Sequence, residues 1–345
     1  MKAVGYTHNL PSDDPRALID LELPSPVPGA HDLQVRVQAV SVNPVDTKVR
    51  RKRPASEVSP QVLGWDAVGT VLEVGSAVQG FRPGDRVWYA GAIDRPGSNA
   101  EQQLVDARIV AKAPSRLSDA EAAALPLTTI TAWELLFDRL QVPRAAPQPQ
   151  SAGPAALLIT GGAGGVGSIL IQLARQLTDL TIVATASRPS SREWCLALGV
   201  HHVIDHREPF VPQLQALALP PLRYAASLTH TPQHYAQLVE ALAPQGRLAL
   251  IDDFEPGDID VMALKGKCLS LHWEMMFARS LHQTPDMAEQ GRLLGEVAAL
   301  VEAGRVRSTL SDNLGPINAA NLRRAHALVE SGQVQGKLVL QGFGD

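Results

Sequence analysis

Apolar and polar positions change rhythm about a third of the way along the chain. Before residue 118 they alternate over short runs. Leu33–Ala39 reads LQVRVQA, which predicts a half-buried strand. Val68–Val74 and Arg86–Ala90 are further short β-type runs, with Gly75, Gly80 and Pro83–Gly84 as turns between them. Strands spaced in this way predict a small all-β barrel or sandwich. From Ser118 the period lengthens. Ser118-Asp119-Ala120-Glu121 carries the residues of a capping box, Ser118 as N-cap and Glu121 three positions on. Thr131–Leu140 is predicted as a second helix beginning at Thr131, where capping alone would explain the threonine.

Strands and helices then alternate. Ala155–Ile159 is predicted as a buried strand. Val166, Ile169, Leu170, Leu173 and Leu177 fall on one face of a helix over Val166–Leu177. Thr181–Ala186 is the next strand, and Glu193–Leu198 the next helix, closed by Gly199. Val203–Ile204, Tyr224–Leu228 and Arg247–Ile251 are further strands, with a helix face of Tyr235, Leu238, Val239 and Leu242 among them. Repeated βα units predict a parallel sheet with helices on both sides. Met287–Ala303 and Asn321–Ser331 are predicted helices, and Lys337–Gln341 a closing strand. Arg144–Pro154, RAAPQPQSAGP, is rich in Pro, Gly and Ala and predicts a surface loop.

Between the strand at 155–159 and its helix lies GGAGGVG, five glycines in seven residues. Gly162, Gly164, Gly165, Val166 and Gly167 fit GxGxxG in the context it requires, a strand before and a helix after. The early glycines allow a tight turn, Gly164 lets the backbone approach a pyrophosphate, and Gly167 lets the helix pack close to the sheet. The helix N-terminus offers unpaired N–H groups to the anion. A dinucleotide is therefore the expected ligand. A free ribose 2′-OH usually meets Asp or Glu at the end of the second strand. Here that strand ends Thr185-Ala186-Ser187-Arg188, with no acid. Ser187 can donate a hydrogen bond and Arg188 can pair with a 2′-phosphate, so NADP is expected over NAD. Asp205, after the next strand, is expected to face the adenosine region or solvent.

Composition narrows the classes. The 345 residues favour two domains over one. A net charge of −4 argues against nucleic-acid binding. Cys195 and Cys268, the two cysteines, build neither a disulfide framework nor a four-cysteine zinc site. No apolar run is long enough to span a membrane, and the N-terminal MKAVGYTHNLPSDD lacks a signal-peptide core, so a cytoplasmic protein is expected. The one basic cluster, Lys48–Arg53 (KVRRKR), reads as a solvated loop before Pro54 or as a contact for an anionic partner.

Several segments together resemble the medium-chain dehydrogenase/reductase superfamily. GWDAVGTVLEVG (residues 64–75) is similar to its GHExxGxVxxVG segment. FRPGDRV (81–87), LPLTTITAWEL (125–135), GGAGGVG and the C-terminal GKLVL follow the same family order. In its zinc alcohol dehydrogenases a Cys and the His of GHE bind the catalytic metal. The matching positions here are Asn43 and Trp65, which make poor ligands, and residues 90–110 lack the cysteines of a structural-zinc lobe. His31, His201 and His202 have no ligand spacing. No zinc is expected. Asn43-Pro44-Val45-Asp46 matches the NPxD signature of the metal-free quinone oxidoreductase branch, whose members often carry a zinc-type alcohol dehydrogenase-like name.

The resemblance implies a GroES-like β-barrel catalytic domain (residues 1–127 and 283–345) and a Rossmann-type doubly wound parallel-sheet nucleotide-binding domain (128–282). It also implies a small-molecule substrate in the cleft between them, and a homodimer formed through late strands of the nucleotide domain, here Gly266–Leu271. NADPH would then reduce a quinone, enone or related carbonyl without metal. Asn43 and Tyr89 are candidate hydrogen-bond donors to the developing oxyanion; a turn role for Asn43 and core packing for Tyr89 are the alternatives. Asp46 either joins them or orients the nearby backbone or Lys48. Thr128, Thr131 and Lys337 are expected at the cofactor, and Trp65, Trp133, His272 and Trp273 at the substrate or dimer contact. The rival functions are a zinc-dependent alcohol dehydrogenase and a non-catalytic NADPH-binding redox sensor.

Overall fold

The strand Asp32–Val42 organises the N-terminal fold. It is longer and more buried than its alternation suggests: Leu33, Val35, Val37, Ala39 and Val40 are all buried, and Arg36 stays exposed. It needs both faces covered because it is the centre of a seven-stranded sheet, with Ala67–Val74 on one side and the C-terminal strand Lys337–Gln341 on the other, both antiparallel. A separate three-stranded sheet carries Lys2–Tyr6, Ile19–Glu22 and Gln61–Val62. These belong to one of two compact units, Met1–Ile130 with Phe277–Asp345; the other is Thr131–Met276. The computed structural model describes residues 1–145 and 155–344, so most of the Arg144–Pro154 segment lies outside the described residues.

In the first unit the capping box forms as expected. The Ser118 backbone N–H donates to Glu121 at 2.9 Å, and the Glu121 N–H donates to Ser118 Oγ at 3.3 Å. Two expectations are corrected. The next helix starts at Pro126, not Thr131, and runs to Trp133 before widening into a π-helical turn, Glu134–Arg139. Proline is well suited to a first helical turn, and Thr131 sits mid-helix rather than at a cap. The basic run is not a solvated loop. Most of it lies in helix Pro44–Lys52, where the buried Arg50 pairs with Glu330 of helix Ala319–Glu330 at 2.6 Å. Only the helical partner reveals that one of five clustered arginines and lysines points inward.

The second unit is a parallel sheet of six strands. They are Ala156–Thr160, Thr181–Thr185, His202–Ile204, Leu222–Ser227, Arg247–Leu250 and Ser270–Trp273. Counted from the first of these, the spatial order is 3-2-1-4-5-6. Chain order therefore reverses beside the first strand, next to the fourth, and ligands of such sheets bind at the carboxyl ends there. Thr160 and Ser227 are those two ends, and the glycine-rich loop starts one residue after Thr160. Every residue of Ala156–Thr160 is buried, as a central strand requires.

Candidate functional site

The glycine loop explains its own composition. Gly161 has φ +70°, the left-handed turn that directs the chain off the strand. A Cβ at Gly162 would lie 2.6 Å from Cβ of Ala184 in the neighbouring strand. A Cβ at Gly167 would lie 2.5 Å from the Gly161 carbonyl oxygen and 2.7 Å from the Gly162 Cα. The expected roles are thus partly exchanged: Gly162 meets the adjacent strand, and Gly167 lets the helix approach the loop's own backbone. Gly164 differs. A Cβ there would find nothing nearer than the Gly161 oxygen at 3.4 Å, so no packing within the protein demands glycine. Gly164 is the N-cap of helix Gly165–Leu177 and supplies no side-chain cap, leaving first-turn N–H groups of Gly165, Val166 and Gly167 for an external acceptor. An open cradle at a helix N-terminus fits the pyrophosphate of a dinucleotide.

At the end of the second strand, Ser187 is half-buried and Arg188 exposed at the N-cap of helix Pro189–Ala197. Two further arginines converge there that sequence inspection did not single out. Arg192 Nη2 donates to the Val203 carbonyl at 3.1 Å. Arg207 Nη2 reaches the Ser187 carbonyl at 3.5 Å. Asp205, the one nearby acid considered from the sequence, is held by Arg207 through Nε at 3.0 Å and Nη2 at 2.7 Å. Those bonds hold its carboxyl down at about 2. The signal was present as Asp205-His206-Arg207 after a short strand, but only the parallel pairing of His202–Ile204 with Thr181–Thr185 brings it beside Ser187.

A second constellation lies in the first unit. Strand register creates it: Leu338 pairs with Val42 and Ala67 with Val40, so Lys337 and Asp66 flank Asn43. Lys337 Nζ donates to Asp66 Oδ2 at 2.9 Å and to Asn43 Oδ1. Asn43 Nδ2 donates to Asp66 Oδ2 at 2.9 Å and to the Ser41 carbonyl at 3.4 Å. Asp66 Oδ1 accepts the Leu127 N–H at 2.8 Å. All three side chains are buried. Asp46 accepts the Asn43 backbone N–H at 2.8 Å, which is the backbone-orienting alternative. Asn43 is the N-cap of helix Pro44–Lys52, and this bond is one half of its capping box. Burial pushes the Asp46 carboxyl up to about 7, against bonds from the Asn43 and Gly64 N–H groups. Asp66 was overlooked in the sequence because its neighbour Trp65 occupies the position matched to a metal ligand.

The other candidates scatter. Tyr89 is fully buried with its hydroxyl unpartnered, and burial raises its pKa. Trp65 is fully buried; its indole N–H donates to the Ala92 carbonyl at 3.1 Å, and its ring meets Phe277 edge-on at 6.0 Å. Thr128 is buried and donates to the Leu125 carbonyl at 3.1 Å. In the second unit, Trp133 lies against Phe137 with Arg144 over its ring. His272 has a buried, unpartnered Nε2, and Trp273 is exposed and stacked on Phe254. His201 accepts the Ile182 N–H and contacts Arg175, so it serves the fold.

These residues do not fit a zinc ion at the matched positions. Asn43 has spent its amide on Asp66, Lys337 and Ser41, and an indole that donates its N–H has no lone pair to offer. Among the described residues, no three His, Cys, Asp or Glu side chains are grouped to hold a metal.

Residues 29–115 match the model of the alcohol dehydrogenase GroES-like domain, and residues 198–340 that of the zinc-binding dehydrogenases. A zinc-type alcohol dehydrogenase-like protein of Staphylococcus aureus, SAV2186, is 39% identical over 99% of both chains. The chain belongs to the medium-chain dehydrogenase/reductase superfamily. It is an oxidoreductase of that superfamily, similar to its zinc-type alcohol dehydrogenase-like proteins. A crystal structure from Rhizobium etli CFN 42, provisionally named a zinc-dependent alcohol dehydrogenase, is 56% identical (TM-score 0.95, covering 100% of this chain and 99% of that one). More distant members of the superfamily differ in chemistry. The 2-methylene-furan-3-one reductase of Solanum lycopersicum is 29% identical over 99% of this chain and 79% of its own. The quinone oxidoreductase of Coxiella burnetii is 26% identical (TM-score 0.77, 99% of both chains). Mycobacterial Rv1454c, solved with NADPH, is 25% identical (TM-score 0.80, 99% of both).

Proposed function

We propose that the protein is an NADPH-dependent reductase of quinones, enones or related conjugated carbonyls that works without a metal. The observation that carries the cofactor choice is the cluster of Arg188, Arg192 and Arg207 at the end of the second strand, where Asp205 is already bound to an arginine. Guanidinium groups suit a 2′-phosphate and leave a bare 2′-OH without its usual carboxylate. Gly162, Gly164, Gly165, Val166 and Gly167 would hold the pyrophosphate, with Ser187 and Arg188 at the ribose phosphate and Thr128 and Thr131 toward the nicotinamide. The bound dinucleotide supplies a hydride.

The side chains present favour conjugated acceptors. Simple alcohol oxidation needs strong alkoxide stabilisation, which zinc provides in related enzymes. Quinones and enones delocalise the incoming charge, so hydrogen bonds suffice. The furanone reductase and quinone oxidoreductase names among the relatives agree with that class. Trp133 and His272 are proposed on the substrate side, and the exposed Trp273 at the dimer contact. The decisive experiment is NADPH oxidation by EDTA-treated protein with a panel of quinones and enones. Turnover that survives chelation is expected; no turnover on any acceptor refutes the proposal. The 56%-identical relative's name supports a second reading, a zinc alcohol dehydrogenase, which requires stoichiometric zinc by elemental analysis of the purified protein.

We also propose a homodimer. Ser270–Trp273 is the last strand of its sheet, and Val261, Met262, Trp273 and Met275 are exposed around it. An unpaired edge with apolar neighbours is a natural place for a second copy to pair.

A further inference from the structure

Three histidines gather at the carboxyl end of the six-stranded sheet, beside the arginine cluster. His206 follows the strand His202–Ile204, and the Ala186 N–H donates to the Ile204 carbonyl at 3.0 Å, so His206 leaves the sheet at the same end as Ser187 and Arg188. Its neighbour Arg207 reaches the Ser187 carbonyl. The His206 ring meets that of His234, in helix Thr231–Ala241, edge-on at 6.0 Å. His230 is the N-cap of that helix, with φ +52°, and its Nδ1 lies 2.7 Å from Thr229 Oγ1. Thr229 abuts the glycine loop: a Cβ on Gly161 would lie 2.9 Å from it. His230 is exposed and His206 half-buried, so solvent reaches the cluster. His234 is buried, and its Nδ1 has no partner among the described residues. The charged groups facing His206 and His234 are Asp205, Arg207 and Asp252. Asp205 is bound to Arg207, and Asp252 accepts the Thr231 N–H at 3.0 Å. Glu208 and Glu240 border the same groove as Arg207. Burial holds both imidazoles below the ordinary 6.5; for His206, Arg207 and His230 add to it against the pull of Asp205. Both are therefore neutral near pH 7.

We infer that the cluster of His206, His230 and His234 makes the choice of cofactor proton-dependent, adding positive charge beside a 2′-phosphate as the solution becomes more acidic. This rests on the proposed use of NADPH. A 2′-phosphate brings up to two negative charges to the strand end that carries Arg188 and Arg207. Its field favours the charged form of a neighbouring imidazole. The cluster then takes a proton from solvent as NADPH or NADP⁺ binds, and binding is tighter where that proton is available. NADH and NAD⁺ share the pyrophosphate but carry only a hydroxyl at this position, so they lack the coupling. Arginines alone would act with the opposite sign. They stay charged at every working pH, stabilise the phosphate dianion and drive off its last proton. Proton uptake on binding is thus the mark of the histidines, and proton release that of the phosphate itself.

The test is calorimetric titration of the full chain with NADP⁺ and with NAD⁺ at pH 6.5, in buffers of different ionisation enthalpy, which counts the protons exchanged on binding. The comparison protein is His206→Gln/His230→Gln, which removes the titrating rings without altering the charge of the neutral cluster. On NADP⁺ the wild type is expected to take up several tenths of a proton more than the variant. On NAD⁺ the two proteins should agree. Taking the difference between proteins cancels the phosphate's own titration. Between pH 7.5 and 6 the wild type's preference for NADP⁺ over NAD⁺ should rise about threefold or more relative to the variant's. His230→Gln alone, at the exposed position, should remove part of the excess and guards against a double variant that fails to fold. Equal proton counts in wild type and variants on NADP⁺, or the same excess on NAD⁺, overturn the inference. A wild type that binds NADP⁺ no more tightly than NAD⁺ at either pH instead rejects the NADPH reading, and this inference with it.

Discussion

Single side chains divide the site by charge. Arg188 and Arg207 lie where the proposed cofactor would carry its ribose phosphate, and hydrogen bonds to charged groups are worth about 1.5–3 kcal/mol each. Arg188→Glu should therefore weaken NADPH binding about tenfold or more and NADH binding much less, as measured by fluorescence titration with each coenzyme. Equal losses would remove the NADP assignment. Asp46 makes a different prediction. Its carboxyl is raised from an ordinary 3.8 to about 7 in the fold, chiefly by burial. The folded state therefore binds the proton more tightly than the unfolded chain. Stability from this group is present at low pH, begins to fall as pH rises above about 4, and is lost by about 7. Asp46→Asn should raise the melting temperature at pH 8 more than at pH 5. A gain independent of pH would show that the carboxyl does not titrate in this window.

At the scale of elements, the loop and helix from Gly161 to Leu177 separate folding from binding. The Gly167 position has backbone within 2.7 Å of any added Cβ, while the Gly164 position has only one oxygen at 3.4 Å. Gly167→Ala should lower the melting temperature of the protein without ligand. Gly164→Ala should leave that temperature within about a degree yet weaken dinucleotide affinity severalfold, because the added methyl stands where a phosphate would approach. Matching thermal shift and cofactor titration on the two variants checks both halves. The element pattern was readable in advance where local periodicity dominates. The helix after the glycines, the capping box at Ser118 and the closing strand Lys337–Gln341 all follow from spacing. Helix Pro126–Trp133 did not, because it is buried on all sides, Thr128, Thr129 and Thr131 included, and so shows no apolar stripe to mark its start. Arg50 was misplaced for a related reason: a charge is buried by its partner, and Glu330 is 280 residues away.

At the scale of the whole molecule, the proposed homodimer depends on the outer edge of the six-stranded sheet. Analytical ultracentrifugation at micromolar concentration is expected to find a dimer, and Met262→Glu with Trp273→Glu to give a folded monomer. A wild-type monomer would refute the assembly. No helix among the described residues is long and apolar enough to cross a membrane. What the amino-acid order determined by itself was everything that neighbours within one turn or one strand can encode: strand and helix periods, the glycine loop in its βα setting, and the absence of an acid at Ser187-Arg188. Those signals are local because backbone geometry repeats over a few residues. Tertiary structure alone decided the rest. Sheet register put Lys337 and Asp66 on either side of Asn43, and parallel pairing carried Arg207 to Ser187. Both are contacts between residues distant in sequence, and which polar group gains a buried partner is settled only when separate strands choose their neighbours.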